Sequence, residues 1–208
     1  MHTLPNGTQV YSQGNEEVVI LDWFKRKGMP VGRFLDIGAY NPTVFSNTRR
    51  LFEGGWSGVF VEPGPYQIVK LAEAYRGVDR VTIVNCALAE ANKFQEFGIC
   101  PDALSSLDKE HQKTWEAGGT KYDQVQVFTV SIASFFEKFG PRFDFVDIDI
   151  EGEANWNLIR TINFGAIRAS LLCLEYGKRR AEIIEYVRPW GYSVIHDTGE
   201  NLLMGWHA

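Results

Sequence analysis

Residues 33–48 read RFLDIGAYNPTVFSNT and contain the pattern that decides the fold. The short apolar strand 33–37 ends at Gly38, and Asn41-Pro42 offers a helix cap followed by proline at the first helical position. A buried strand, a glycine turn and a helix start are typical of the first unit of a nucleotide-binding α/β sheet. The stretch is therefore either a cofactor site or a purely structural turn.

Strand and helix patterns alternate along the chain, with short breaks and no internal repeat. Such alternation predicts an α/β fold: a doubly wound, mostly parallel seven-stranded sheet with a terminal antiparallel hairpin. The predicted strands are RFLDI (33–37), SGVFVE (57–62), RVTIVNCAL (80–88), FDFVDIDI (143–150), ASLLCLEY (169–176) and the two hairpin strands GYSVIHD (191–197) and NLLMGWH (201–207).

We expect a single domain over residues 1–208, since no linker divides the chain. Residues 1–30 form an N-terminal helix region, in which the helix begins near Asn15. Residues 93–130 interrupt the alternation as an inserted strand and loop region. Its polar stretch 101–121 is predicted to be a loop, and long loops in compact domains are usually functional, so it is the candidate substrate lid.

Composition limits the classes of partner. The chain has 208 residues, a net charge of −5 and a pI near 5.4, a balance that argues against a nucleic-acid binder. No stretch reaches about 18 consecutive apolar residues, so no membrane partner is expected. The three cysteines are widely spaced and predicted to be free, buried thiols, which favours a cytoplasmic location.

The ends of the first strands predict a nucleoside site. Glu62 follows the second strand, about two dozen residues after Gly38, where a carboxylate can bind both ribose hydroxyls. The hexapeptide after the first strand, GAYNPT, lacks the later glycines of the pyrophosphate-binding pattern GxGxxG. A phosphate-free nucleoside such as S-adenosylmethionine is therefore favoured. The third strand would place Asn85, Cys86 and Ala87 beside adenine.

An acidic cluster follows the fourth strand in the segment DIDIEGE, 147–153. Strand alternation puts Asp147 and Asp149 on one face. Close carboxylates are costly unless they are solvated, paired or bound to a cation. They are open to three roles: a general base, a contact to the ligand's ammonium group, or metal ligands. Glu153 is better explained as a stabilising charge at a helix N-terminus.

Together these segments resemble the FkbM family of S-adenosylmethionine-dependent methyltransferases. The segments that carry the resemblance are YSQGNEE (11–17), FLDIGAYNPTVFSNT (34–48), GWSGVFVEPGP (55–65), NCALAE (85–90), SSL (105–107), FVDIDIEGEANWNLI (145–159), LLCLEY (171–176) and GYSVIHDTGENLLM (191–204). They follow the family's order across nearly the whole chain. The DIDIEGEA block is specific, whereas the glycine turn is common to many nucleotide-binding proteins.

The resemblance implies a class I Rossmann-like methyltransferase fold and O-methylation, often of hydroxyls on sugars or glycosylated products. It implies a carbohydrate or glycosylated small-molecule acceptor and no nucleic acid. Tyr40 and Pro42 depart from the smaller residues common in the first turn. The residues that it assigns to the methyl donor are Gln13, Asp36, Gly38, Ala39, Tyr40, Ser46, Glu62, Pro63, Asn85, Cys86, Ala87 and Asp147.

The predicted reaction is methyl transfer from the sulfonium to a hydroxyl oxygen, with a base that removes the hydroxyl proton. The candidate bases are Asp149, Glu151 and His196. A metal-free site is favoured, with Asp147, Asp149 and Glu175 as the ligands if a divalent cation takes part. Two alternatives stay open: an NAD-dependent oxidoreductase, and a non-catalytic module that binds a nucleoside or glycan.

Overall fold

The computed structural model describes residues 1–207. Within them, the strands are β1 (His2–Thr3), β2 (Gln9–Val10), β3 (Arg33–Ile37), β4 (Ser57–Val61), β5 (Val81–Val84), β6 (Ala87–Ala89), β7 (Lys93–Ile99), β8 (Asp123–Ser131), β9 (Phe145–Ile148), β10 (Leu171–Glu175), β11 (Tyr192–Asp197) and β12 (Asn201–Trp206). The helices are α1 (Glu16–Arg26), α2 (Arg49–Glu53), α3 (Pro65–Ala74), α4 (Lys109–Ala117), α5 (Ile132–Phe139), α6 (Glu153–Ile159), α7 (Phe164–Ile167) and α8 (Arg180–Val187), followed by a 3-10 turn at Arg188–Trp190.

The central sheet has seven strands in the order β11-β12-β10-β9-β3-β4-β5. Strands β5, β4, β3, β9 and β10 are parallel to their neighbours, whereas β12 is antiparallel to both β10 and β11. The predicted doubly wound, mostly parallel sheet with a terminal hairpin is confirmed. The strand order reverses beside β3, so the ends of β3 and β9 meet where ligands bind in such sheets.

The two faces of this sheet form two separate cores. Helices α1, α2 and α3 cover the face that carries Phe34, Phe60 and Phe145. Helices α5, α6, α7 and α8 cover the opposite face, which carries residues such as Leu35 and Val146. Each strand alternates its side chains between the two cores, and burying each large apolar side chain contributes about 1.5–3 kcal/mol.

The helix predicted from Pro42 begins later than expected. Helix α2 starts at Arg49, because the Asn41 side chain accepts hydrogen bonds from the backbone N–H groups of Thr43 and Val44 at 3.0 and 3.1 Å. This local turn competes with helix formation. Phe45 follows with a φ of 57°, which no right-handed helix contains.

The inserted region also differs from its prediction. Strand β7 and strand β8 form an antiparallel pair, and β6 joins β8 to complete a separate three-stranded sheet. The predicted strand 80–88 is therefore divided between two sheets. Within the predicted loop 101–121 lies α4, whose first turn is capped by Asp108 through the N–H groups of Glu110 and His111.

The cysteines are free and buried, as predicted. The longest helix of residues 1–207 is α1, with 11 residues, and no helix of that part of the chain has the length and apolarity of a membrane span.

Candidate active site

A cleft opens at the carboxyl ends of β3, β4 and β9. Gly38 and Tyr40 line it after β3, Glu62 after β4, and Asp149 and Glu151 after β9. The remaining lining residues are Ile37, Val61, Pro63, Gln67, Cys86, Ala87, Leu88, Phe97, Asp102, Ala103, Ser105, Leu107, Ile150 and Ala154. The start of β6 and the inserted region therefore form the wall beside Glu62.

Gly38 is required by the packing of the strand ends. Its φ is +88°, and a Cβ atom at this position would lie 1.7 Å from the backbone oxygen of Asp149. Its N–H donates to Val61 at 2.9 Å, and the N–H of Asp149 donates to the oxygen of Ile37 at 3.0 Å. The glycine thus lets the chain segments after β3 and β9 approach each other, a reason that the sequence argument, which considered only ligand approach, did not include.

Glu62 is held in place by the two turns around it. The residue is 5 % exposed, and its carboxylate accepts hydrogen bonds from the N–H of Tyr40 at 3.0 Å and of Gly64 at 2.6 Å. Burial raises the pKa of the Glu62 carboxyl to about 7. The Asn85 amide fixes the same segment by donating to the backbone oxygens of Glu62 and Pro63. A carboxylate oriented in this way has lone pairs left for hydroxyl donors from a ligand in the cleft.

The walls on either side of Glu62 differ in character. Tyr40 adopts a φ of 40°, and its ring stacks on Phe45 with centroids 6.4 Å apart. Cys86 and Ala87 are buried and present a small apolar surface, which is suited to a planar base. Asn85 itself is turned away from the cleft, towards the backbone after β4.

Three carboxylates meet where β9 and β10 end. Asp149, Glu151 and Glu175 each offer an oxygen within 4.8 Å of the others. Burial, together with repulsion between neighbouring acids, raises the pKa of Asp149 to about 6, of Glu151 to about 8 and of Glu175 to about 10. We call these residues the acidic trio. Such a group can hold a proton, a cationic ligand or a hard metal ion.

Asp36, Ser46 and Asp147 lie behind the cleft, on the face covered by α1 and α2. Asp36 accepts a hydrogen bond from the Thr48 hydroxyl at 2.5 Å, and burial raises its pKa to about 7. Asp147 accepts from the Asn47 amide at 3.0 and 3.2 Å, and burial raises its pKa well above its usual range. Neither carboxylate belongs to the lining of the cleft, because both are buried within the strands, whereas Asp149 lies beyond the end of β9. Glu151 therefore stands beside Asp149 and Glu175, where Asp147 was expected.

Three further predicted residues also lie outside the cleft lining. Ala39 is 6 % exposed and packs in the core beneath α1 and α2. Gln13 is exposed in a shallow groove beside Tyr11 and Phe45. The His196 ring bonds to the Asn15 side chain, with Nε2 and Oδ1 2.9 Å apart. Asp149 and Glu151 are therefore brought together, whereas His196 is not.

The inserted region supplies residues that the sequence argument missed. The Ser106 hydroxyl donates to the backbone oxygen of Glu151 at 3.2 Å, and Asp108 accepts from the N–H of Glu153 at 2.8 Å. His111 on α4 lies with Nε2 3.9 Å from an oxygen of Glu151. The sequence signal for these residues was the polar stretch 101–121, which indicated a functional segment but did not identify the residues that face the site.

Comparison with known proteins identifies the domain type. The model of the methyltransferase FkbM domain matches residues 36–194, which is most of the chain. None of the curated proteins compared with the chain matches it.

Two solved structures are similar in fold. A Pyrococcus horikoshii protein proposed as an RNA methyltransferase shares 12% identity over 100% of this chain and 93% of its own, with a TM-score of 0.49. A Streptococcus pneumoniae protein proposed as a tRNA methyltransferase shares 13% identity over 88% of this chain and 71% of its own, with a TM-score of 0.44. Both descriptions name nucleic-acid substrates of those proteins, whereas the sequence predicted a carbohydrate or glycosylated acceptor and no nucleic acid. That prediction is withdrawn.

Proposed function

Because the chain belongs to the FkbM methyltransferase family, we propose that it transfers a methyl group from S-adenosylmethionine to a hydroxyl oxygen of its acceptor. The family match supports methyl transfer over the NAD-dependent oxidoreductase and the non-catalytic module considered above. We also propose that residues 1–208 act as one methyltransferase domain, with 93–130 as an insertion that forms part of the site.

The observation that carries the proposal is the buried carboxylate of Glu62 at the end of β4. Two backbone N–H groups orient it, and it lines the same cleft as Gly38. Two ribose hydroxyls of the methyl donor would donate to this carboxylate. Adenine would then rest on the apolar surface of Cys86 and Ala87, and the sulfonium would extend over Gly38 towards the acidic trio.

In the proposed reaction, the hydroxyl oxygen attacks the methyl carbon as the bond from carbon to sulfur breaks. S-adenosylhomocysteine leaves as a neutral thioether, and the hydroxyl proton passes to a base or to solvent. Asp149 and Glu151 of the acidic trio line the cleft and can accept that proton. Alignment of oxygen, methyl and sulfur would supply much of the remaining rate enhancement.

Calorimetric titration with S-adenosylmethionine and S-adenosylhomocysteine tests the donor site. We expect both to bind, and Glu62→Gln to bind at least about tenfold more weakly, since the amide offers only one acceptor oxygen. Glu90→Gln is a matched control, because Glu90 lies on the surface and pairs with Arg160. Binding of NAD in place of the methyl donor would refute the assignment.

Transfer of a labelled methyl group tests the acceptor atom. The protein is incubated with labelled S-adenosylmethionine and a panel of hydroxyl, amine and thiol compounds, and products are identified by mass spectrometry. Products methylated at oxygen are expected. Methylation confined to nitrogen or sulfur would refute the O-methyl assignment while leaving the donor site intact.

A further inference from the structure

The acidic trio brings carboxylates from separate parts of the chain to one point. Asp149 and Glu151 follow β9, whereas Glu175 ends β10, and one oxygen of each lies within 4.8 Å of the others. The Oε2 atom of Glu175 is buried and has no hydrogen-bond partner in the described part of the chain. The trio thus offers converging oxygen atoms that the protein itself does not fully satisfy.

The negative charge of the trio is not balanced by protein cations. Among residues 1–207, no lysine or arginine forms a salt bridge with any of its members, and the only basic neighbour in such a pair is His111, beside Glu151. Glu16 and Glu200 add negative charge next to Asp149. Like charges held this close in a partly dry site require either bound protons or a bound cation.

A buried amide on the strand residue opposite Glu175 provides a second and independent observation. Asn201 is 3 % exposed and lies directly opposite Glu175 in the β10–β12 pairing, where paired side chains share a face. Its Nδ2 atom donates to Glu16 at 3.3 Å, but its carbonyl oxygen Oδ1 has no partner in the described residues. A buried carbonyl oxygen without a partner costs free energy, and it is a common ligand of hard cations.

We propose that Asp149, Glu151 and Glu175 bind a divalent cation, with the carbonyl oxygen of Asn201 available to the same site. The ligand set contains only oxygen atoms, which suits Mg²⁺ or Mn²⁺ better than a metal that prefers nitrogen or sulfur. The role of this cation rests on the proposed function: the cation would bind the acceptor hydroxyl and favour loss of its proton. It also explains why Glu175 belongs to the site although it lies outside the lining of the donor cleft.

Titration with Mn²⁺, followed by electron paramagnetic resonance of the free ion, tests the site directly and needs no acceptor. We expect one Mn²⁺ site that Mg²⁺ competes for, and Glu175→Gln should bind Mn²⁺ at least about tenfold more weakly. Glu182→Gln is the matched control, because Glu182 is an exposed acid that pairs with Arg179 on α8. Absence of Mn²⁺ binding to the wild-type protein, or equal binding by Glu175→Gln, would overturn the proposal.

Thermal unfolding provides a second readout. Because glutamine has nearly the shape of glutamic acid and cannot carry a negative charge beside Asp149 and Glu151, the Glu175→Gln variant should remain folded and should not unfold at a lower temperature than the wild type without metal. Mn²⁺ should raise the unfolding midpoint of the wild type and of Glu182→Gln but not that of Glu175→Gln. An equal rise in all three proteins would refute the site.

Titration with S-adenosylhomocysteine in the presence of a chelator separates this proposal from the proposed function. Binding of S-adenosylhomocysteine without any Mn²⁺ binding would reject the cation site alone. Failure of the wild-type protein to bind S-adenosylhomocysteine both with and without the chelator would instead reject the donor site that the proposed function requires.

Discussion

Replacement of Gly38 by alanine should destabilise the protein more than an ordinary substitution of a left-handed glycine. At a φ of +88° an alanine costs about 1–2 kcal/mol from its backbone conformation alone. Its Cβ atom would also lie 1.7 Å from the backbone oxygen of Asp149, so the segments after β3 and β9 must separate. That movement disrupts the bond from the Asp149 N–H to Ile37 and the bond from the residue 38 N–H to Val61, each worth about 1 kcal/mol.

The total expected loss for Gly38→Ala is therefore about 4 kcal/mol, which lowers the unfolding midpoint by roughly 8–16 °C in a chain of this length. Gly28→Ala is the matched control. Gly28 has a φ of +65° in the turn after α1 and no atom within 4 Å of a Cβ, so this variant carries the conformational cost only. That cost of about 1–2 kcal/mol should lower its midpoint by about 2–8 °C.

Calorimetric unfolding of the two variants and the wild type measures the difference. S-adenosylhomocysteine titration of Gly38→Ala at a temperature where it is folded then reports on the cleft. Equal midpoint shifts for Gly38→Ala and Gly28→Ala would refute the claim that Gly38 is required by the contact with Asp149.

Three further predictions concern the surroundings of the site. Burial raises the pKa of Asp36 from 3.8 to about 7, so the stability that its proton contributes is complete below pH 3.8 and is lost as pH rises through 7. From about pH 5.5 to 8.5 the wild type should lose about 2 kcal/mol more than Asp36→Asn in chemical unfolding, and parallel pH profiles would contradict this. Asp108→Ala removes the cap of α4 and the bond to the N–H of Glu153, so its free energy of unfolding should fall by about 1–2 kcal/mol, and an unchanged value would contradict the capping role. Asn85→Ala removes the amide that fixes the backbone of Glu62, so S-adenosylhomocysteine should bind about fivefold more weakly by titration calorimetry, and unchanged affinity would show that the Glu62 turn needs no such support.

The sequence alone determined the architecture of the central sheet. Strand segments such as 33–37 and 143–150 either alternate apolar with polar residues or are mostly apolar, and helical segments separate them. The type and order of the elements therefore follow from local periodicity. The pairing of Gly38 with Glu62 was also readable, since both lie at the ends of adjacent parallel strands and must meet at the same edge.

Local hydrogen bonds determined helix starts that the periodicity of the sequence could not predict. The Asn41 turn delays α2 to Arg49, and the Asp108 cap starts a helix inside a stretch predicted as loop. Each of these helix starts depends on a single side chain that accepts hydrogen bonds from particular backbone N–H groups. Residue type alone only weakly predicts which N–H groups a side chain will bind.

Only the tertiary structure decided which acids form the site. Asp147 and Asp149 share a strand face, yet Asp147 is buried against Asn47 while Asp149 passes the strand end and meets Glu175. His111 rather than His196 lies beside Glu151, because the inserted region folds back over the end of β9. These contacts join residues that are distant in the chain, and their register is set by how strands and helices pack together rather than by any local pattern.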